Sequence, residues 1–376
     1  MRGKRTKGVL EMSPETKAFT DFLREESRRT GSLSVEHFHT LALTHPVYGY
    51  YRRQEVLGSQ GDFVTAPEVS PLFGEILGAV LVAEWESFGA PDVFSLVELG
   101  PGRGTLLSDI LRVGRLRPSF NQAAETTLVE IHPKLQALQN QALGGRTRSL
   151  AWAETVSEMT ERVLSQPGPV FVIANEFFDA LPVQQWVLEG NSWRERRIIW
   201  TEDDGGRFVW SPETEGSRVR ETSLVRETVM GELCQLLAQK GGLLFLIDYG
   251  FEGGVSGDSW AGIREGKASH PMDFPGETDL SAHVDFANLK EIADQTPGLQ
   301  TAGPFSQKDF LENNGIRLRL EALQKKASRS QRAVLEAAYL RLTHPLQMGS
   351  LFKVLLVSSH GTPPKTCTLE ASQKTL

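Results

Sequence analysis

From Val93 to Val357 the chain alternates short apolar runs with longer stretches of helical period, the pattern of strands and crossover helices around a parallel sheet. FSLVEL, TTLVEI, PVFVIA, LLFLID and LFKVLLV read as strands, and helices are predicted over Thr105–Val113, Pro133–Leu143 and Leu224–Gln239. The fold class is therefore α/β. Upstream, helical signals dominate. Ser13-Pro14-Glu15 combines an N-cap, an N1 proline and a first-turn acid, and opens an amphipathic helix through Phe19, Phe22 and Leu23 to Gly31. Ser34 caps SVEHFHTLAL, which stops before the turn-rich THPVYGYY, and Ser70-Pro71 launches LFGEILGAVLVAEWESF.

Two stretches break the alternation. Residues 184–212 carry turn pairs at Gly190-Asn191 and Gly205-Gly206 and read as an inserted β-meander, where the tryptophans at 186, 193, 200 and 210 are expected to pack. Residues 250–284 are glycine-rich and too long for an idle connection, so they are expected to form a functional lid or substrate loop. The expected layout is a basic tail over 1–12, an N-terminal helical cap over 13–92, and the α/β core over 93–360. That core carries insertions at about 184–212 and 250–342 and is followed by a disordered tail over 361–376.

Composition narrows the function classes. A chain of 376 residues with 40% hydrophobic residues is long enough for a large domain with insertions. A net charge of −7 argues against a general affinity for nucleic acid. Cys234 and Cys367 lie far apart and form no Cys/His cluster, so neither a disulfide framework nor a metal site is signalled. No apolar run approaches the roughly 20 residues needed to cross a bilayer. MRGKRTKG is basic but is not followed by an apolar run, which excludes a secretory signal and leaves a short mitochondrial presequence as an alternative. The expectation is a protein of the cell interior, cytoplasmic in a bacterium or in the mitochondrial matrix of a eukaryote.

The candidate chemistry sits at strand ends. LVELGPGRG delivers a strand into Gly100, Gly102 and Gly104 and then a helix, which brings backbone N–H groups to a ligand at the carboxyl edge of the sheet. The spacing is GxGxG rather than the dinucleotide GxGxxG, and Glu98 would repel a pyrophosphate but suit an amine. This combination favours S-adenosylmethionine over NAD. Glu130, at the end of TTLVEI, is placed to take ribose hydroxyls, a device that NAD enzymes share. VIANEFFDALPV puts Asn175, Glu176 and Asp179 past another strand, where two carboxylates suit a cationic acceptor such as a guanidinium. The alternative is that Glu176 or Asp179 only caps a following helix. LLFLIDYG places Asp248 and Tyr249 at the same edge, and His283 and Asp285 are candidates for a rim with Glu68.

Taken together, GDFVTAPEVSPLFGE, VELGPGRGTLL, IANEFFDALPV, IDYG, GETDLSAHVDF and PLQMGSLFKVLLV resemble the MidA family, over about Pro46 to Val357. The resemblance implies a seven-stranded Rossmann-like methyltransferase core with S-adenosylmethionine as donor. It also implies symmetric dimethylation of an arginine in a respiratory complex I core subunit during assembly. The family's donor motif falls on Glu98, Gly100, Gly102 and Gly104, with Glu130 as the ribose acid and Asn175 beside them. Glu176, Asp179, Asp248 and His283 become the candidate catalytic set. GDSWAGIREG departs from the family's usual segment. A small-molecule or lipid methyltransferase of the same fold, and a non-catalytic assembly chaperone with a vestigial donor pocket, are the competing readings.

Overall fold

The computed structural model describes residues 12–52, 65–201, 205–208, 218–254 and 257–360, so the calls on the N-terminal basic tail up to residue 11, the tail from 361, and Trp210 lie outside it. The chain divides into two compact units. One comprises Met1–Asp62, Pro182–Glu221 and Trp260–Ser281, and the other Phe63–Leu181, Thr222–Ser259 and Ala282–Leu376.

The larger unit is built on seven strands: β1 (Phe94–Leu99), β2 (Ala124–Val129), β3 (Ser149–Ala153), β4 (Val170–Asn175), β5 (Gly242–Phe251), β6 (Gln300–Ser306) and β7 (Phe352–Ser358). Their order across the sheet is β3-β2-β1-β4-β5-β7-β6. Strands β1 to β5 run parallel, and β7 is antiparallel to both β5 and β6. The two-residue strand Val284–Asp285 adds a parallel pairing at the far end of β5. Strand order reverses between β1 and β4, so their carboxyl ends flank the crevice in which open α/β sheets bind ligands.

Alternation along the strands sends side chains into two cores. Phe94, Leu96, Phe171, Ile173, Phe245 and Leu356 face one side; Val97, Leu99, Val172, Ala174, Leu246 and Val357 face the other. On the first side lies helix Pro71–Ser87, launched by its Ser70 cap with a proline at the start. A Cβ on its Gly74 would sit 2.6 Å from the Asp109 Cβ, and one on Gly78 2.9 Å from the Ile110 Cα. Only glycine lets this helix pack so closely on helix Thr105–Gly114. The helix placed in an N-terminal cap by sequence is thus part of the sheet unit.

Three further expectations change. Strands β3 and β6 escaped the sequence pattern because β3 is a half-exposed edge and β6 is polar with a bulge between Ala302 and Phe305. Residues 250–342 are not one insertion, since β6 belongs to the main sheet. Helices Gln307–Asn313, Ile316–Gln324 and Arg329–Thr343 form the excursion between β6 and β7. The 184–212 segment is not one meander either. Gln184–Glu189 and Ser192–Glu195 pair through the Gly190-Asn191 turn and join Val219–Thr222, whereas Arg197–Thr201 joins Gly205–Phe208 and Leu33–Ser34 in a separate sheet. Gly205 and Gly206 are paired strand residues, opposite Thr201 and Trp200, rather than a turn.

In the smaller unit, Ser13 and Ser34 cap helices Pro14–Thr30 and Val35–Thr44. Trp200 stacks on Phe38 at 5.1 Å, while Trp193 is 37% exposed. Residues 261–281 contain a small antiparallel sheet of Ala261–Arg264, Lys267–Ser269 and Asp279–Ser281, joined by turns.

Candidate functional site

All of the candidate residues belong to the sheet unit. At the end of β1, Gly100, Gly102 and Gly104 take φ of +62°, +52° and +78°, left-handed values that a side chain would strain. The turn closes with Gly104 N–H donating to the Pro101 carbonyl at 2.8 Å, and Gly104 starts helix Thr105–Gly114. A Cβ on Gly102 would meet nothing within 4 Å, so this stretch of backbone is open to approach from outside. Glu98, two residues upstream, is buried, and its Oε2 has no hydrogen-bond partner among the described residues. Burial pushes its carboxyl up to about 8. An enclosed carboxylate without a partner calls for a cationic ligand group.

Glu130 stands at the end of β2. Its Oε1 accepts from the His132 N–H at 2.8 Å and its Oε2 from the Gln139 amide at 3.2 Å. Burial raises its pKa, and these donors oppose the rise. Gln139 was not singled out in the sequence, yet it joins the two halves of this side. Its Nε2 also donates to the Gly102 carbonyl at 2.7 Å, and its Oε1 accepts from the Trp152 indole at 2.8 Å.

Across the crevice, β4 ends in Asn175, whose Oδ1 is buried without a partner among the described residues. Glu176 follows with φ of +51°, rare for a residue with a long side chain. Its Oε1 accepts from the Ala66 N–H at 3.0 Å and lies 3.4 Å from the Asn175 amide nitrogen. Burial first, then the charge of Asp179, raises its carboxyl to about 7. Asp179 is buried, its pKa is raised by burial, and its Oδ1 has no partner among the described residues. No helix starts after either residue, so the capping alternative fails.

Asp248 lies at the same edge but is fully enclosed. Its Oδ2 accepts from the Phe178 and Asp179 N–H groups at 3.0 and 3.1 Å, and its Oδ1 from the Tyr249 N–H at 2.9 Å. Burial and the neighbouring carboxylates raise its pKa well above the ordinary aspartate value. Both oxygens thus hold backbone, which makes Asp248 the clamp of the Glu176–Asp179 turn. His283 approaches Tyr249 edge-on, with ring centroids 5.5 Å apart, and its N–H donates to Ser259 Oγ at 2.9 Å. Asp285 leaves the rim; it caps helix Phe286–Asp294 by accepting from the Ala287 and Asn288 N–H groups. Glu68 accepts from the Thr105 hydroxyl at 2.6 Å, beside the glycine turn.

A second residue that sequence reasoning missed is Arg226, buried in helix Leu224–Lys240. Its guanidinium donates to the carbonyls of His283 at 2.7 Å, Ala282 at 2.9 Å and Asp179 at 3.1 Å. It ties the turn after β4 to the segment that carries His283. One charged side chain so holds two loops that lie more than a hundred positions apart in sequence.

Residues 76–305 match a family model described as "Putative S-adenosyl-L-methionine-dependent methyltransferase". Three curated relatives are named protein arginine methyltransferase NDUFAF7 or its homolog, mitochondrial. The Drosophila melanogaster protein is 34% identical over 89% of this chain and 83% of its own. The Danio rerio protein is 33% identical over 94% and 89%, and the Homo sapiens protein 33% identical over 89% and 81%. Two Burkholderia thailandensis crystal structures share the fold, one with TM-score 0.80 and 24% identity, the other with TM-score 0.78 and 22% identity. Each covers 96% of this chain and 98% of its own, and the second is bound to S-adenosyl-homocysteine. The chain belongs to the MidA family and is an S-adenosyl-L-methionine-dependent methyltransferase.

Proposed function

We propose that this methyltransferase modifies a protein arginine, by symmetric dimethylation, on a core subunit of respiratory complex I during assembly. Two carboxylates, Glu176 and Asp179, on the turn that follows β4 and so at the same sheet edge as the glycine turn after β1, carry this reading. The names of the relatives support the acceptor class. The setting is the bacterial cytoplasm or, in a eukaryote, the mitochondrial matrix.

The residues fit the donor. Glu98 takes its amine, and the glycine turn lies against its methionine end with the Gly100 and Gly104 N–H groups already given to Val129 and Pro101. Glu130 takes the ribose hydroxyls, and Asn175 lines the cleft between donor and acceptor. The donor supplies an electrophilic methyl on a sulfonium. What remains for the protein is positioning and charge. Glu176 and Asp179 hold the guanidinium in plane, and a Glu176 carboxylate with a pKa near 7 is matched to accept the proton that the substituted nitrogen releases. Asp248 and Arg226 position this pair through the backbone they hold. The Tyr249–His283 contact borders the acceptor side.

The test is transfer of label from methyl-tritiated S-adenosylmethionine to isolated complex I subunits, followed by mass spectrometry of the labelled peptide. Symmetric dimethylarginine is the expected product. Label only in an organic-extractable product, or on another residue type, would overturn the acceptor assignment.

A further inference from the structure

We propose that the tip of the helical hairpin formed by Ile316–Gln324 and Arg329–Thr343 is a docking surface for an anionic phospholipid bilayer. Residues 316–343 contain seven Lys and Arg against two Glu, in a chain whose net charge is −7. Three of the cations are engaged: Arg317 with Glu312 at 3.3 Å, Arg319 with Glu75 at 2.7 Å, and Arg341 electrostatically with Glu176. Lys325, Lys326, Arg329 and Arg332 are exposed, fall within eight positions, and form no ion pair among the described residues. The turn that displays them is stiff. Ser328 and Gln331 close a capping box, the Ser328 hydroxyl accepting the Gln331 N–H and the Gln331 side chain the Ser328 N–H.

Beside Lys326 opens a groove of about 480 Å³, lined by Leu323, Ala327, Val334 and Leu335 together with Ser330 and Gln331. Val334 is 68% exposed, on the half of the helix nearest the turn, whereas Ala338, Tyr339 and Leu342 further along it are buried. Four exposed cations without an ion pair on one short turn, one of them at the edge of an apolar groove, match a ligand with an anionic head and an apolar body. A bilayer of anionic lipid presents both in one plane. The acidic remainder of the chain is repelled by the same surface, so the charge asymmetry also selects which end approaches.

The experiment is co-sedimentation of the full-length protein with vesicles of phosphatidylcholine alone and of phosphatidylcholine with phosphatidylglycerol. Binding is expected only to the anionic vesicles and should weaken as salt shortens the screening length. Each reversal among Lys325→Glu, Lys326→Glu, Arg329→Glu and Arg332→Glu should weaken it roughly fivefold. Val334→Asp should weaken it further without removing the salt dependence. A calorimetric titration of the fourfold variant with S-adenosylmethionine, matching wild type, confirms that the variant folds. The proposal is overturned by equal binding to neutral vesicles, by no binding to either, or by unchanged binding of the fourfold variant. Capture of the protein by poly-L-glutamate without vesicle binding would reassign the tip to an acidic protein segment.

Discussion

The two sides of the crevice are built differently. On the β1–β2 side, one local turn supplies most of the site: Glu98 and the three glycines span seven positions, and Glu130 is reached by the next strand. On the β4–β5 side, the Glu176–Asp179 turn is held by Ala66, Arg226 and Asp248, from three distant segments. Both sides keep a buried carboxyl oxygen without a hydrogen-bond partner among the described residues, Glu98 Oε2 on the first and Asp179 Oδ1 on the second. The second uses charged residues largely to hold backbone. On the proposed assignment, donor binding is a local property of the chain, whereas the acceptor site is a product of tertiary structure.

The largest expected effect falls on the acceptor side alone. Glu176→Gln should lower transfer by about a thousandfold while donor affinity, measured by calorimetry, stays within about threefold. A parallel loss of donor binding would show that the two sides are not separable. The wild-type kcat/KM should rise as pH increases through about 7, because the carboxylate that receives the proton forms only above that value. A profile that is flat between pH 6 and 8, in the sense of ~1 pH unit on either side of that midpoint, would remove Glu176 from that role.

Arg226→Met tests the scaffold rather than the chemistry. The carbonyls of His283 and Ala282 lose this donor while that of Asp179 keeps the Ala282 N–H, and unfolding stability should fall by about 2 kcal/mol or more. Hydrogen exchange should quicken at residues 176–181 and 282–285 while the glycine turn stays protected. Equal loosening on both sides would erase the distinction drawn between them.

What could be read from the sequence follows the same division. The donor turn was readable because the left-handed glycines, the acid and the helix start lie next to one another and state their own geometry. Asp285 was misread although the signal was present: an Asp immediately before the periodic FANLKEIAD is an N-cap pattern. Arg226 and the clamping role of Asp248 could not have been read, because their partners are backbone groups brought in by topology. Strand β6 was missed for another reason: its place at the sheet edge lets a polar, bulged segment serve.

On the donor side, Glu98→Gln keeps the shape and removes the ionisation. The folded-state pKa of Glu98, about 8, lies above its ordinary 4.5, so its contribution to stability is complete below pH 4.5 and is lost as pH rises through about 8. The variant should therefore be more stable than wild type by about 3 kcal/mol at pH 7 without donor, with the difference vanishing in acid. Donor affinity should fall by about tenfold, since an amine loses its charged acceptor. A variant no more stable than wild type at pH 7 would mean that Glu98 is not held as an unpaired acid.

The smallest effect tests whether the donor side is more than a turn plus an acid. Gln139 spends both amide protons, on the Gly102 carbonyl and on Glu130, and its oxygen on Trp152, so its orientation is fixed by three bonds. Gln139→Leu should weaken S-adenosylmethionine binding by about fivefold, with kcat at saturation nearly unchanged. If Gln139 acts by fixing Glu130, then Gln139→Leu in a Glu130→Gln background should cost less than it does in wild type, with a coupling of about 0.5–1 kcal/mol. Simple additivity would mean that Gln139 supports the turn through Gly102 alone. The ribose acid would then be set by its own strand and by His132, leaving the donor side more local than the bond from Gln139 to Glu130 suggests.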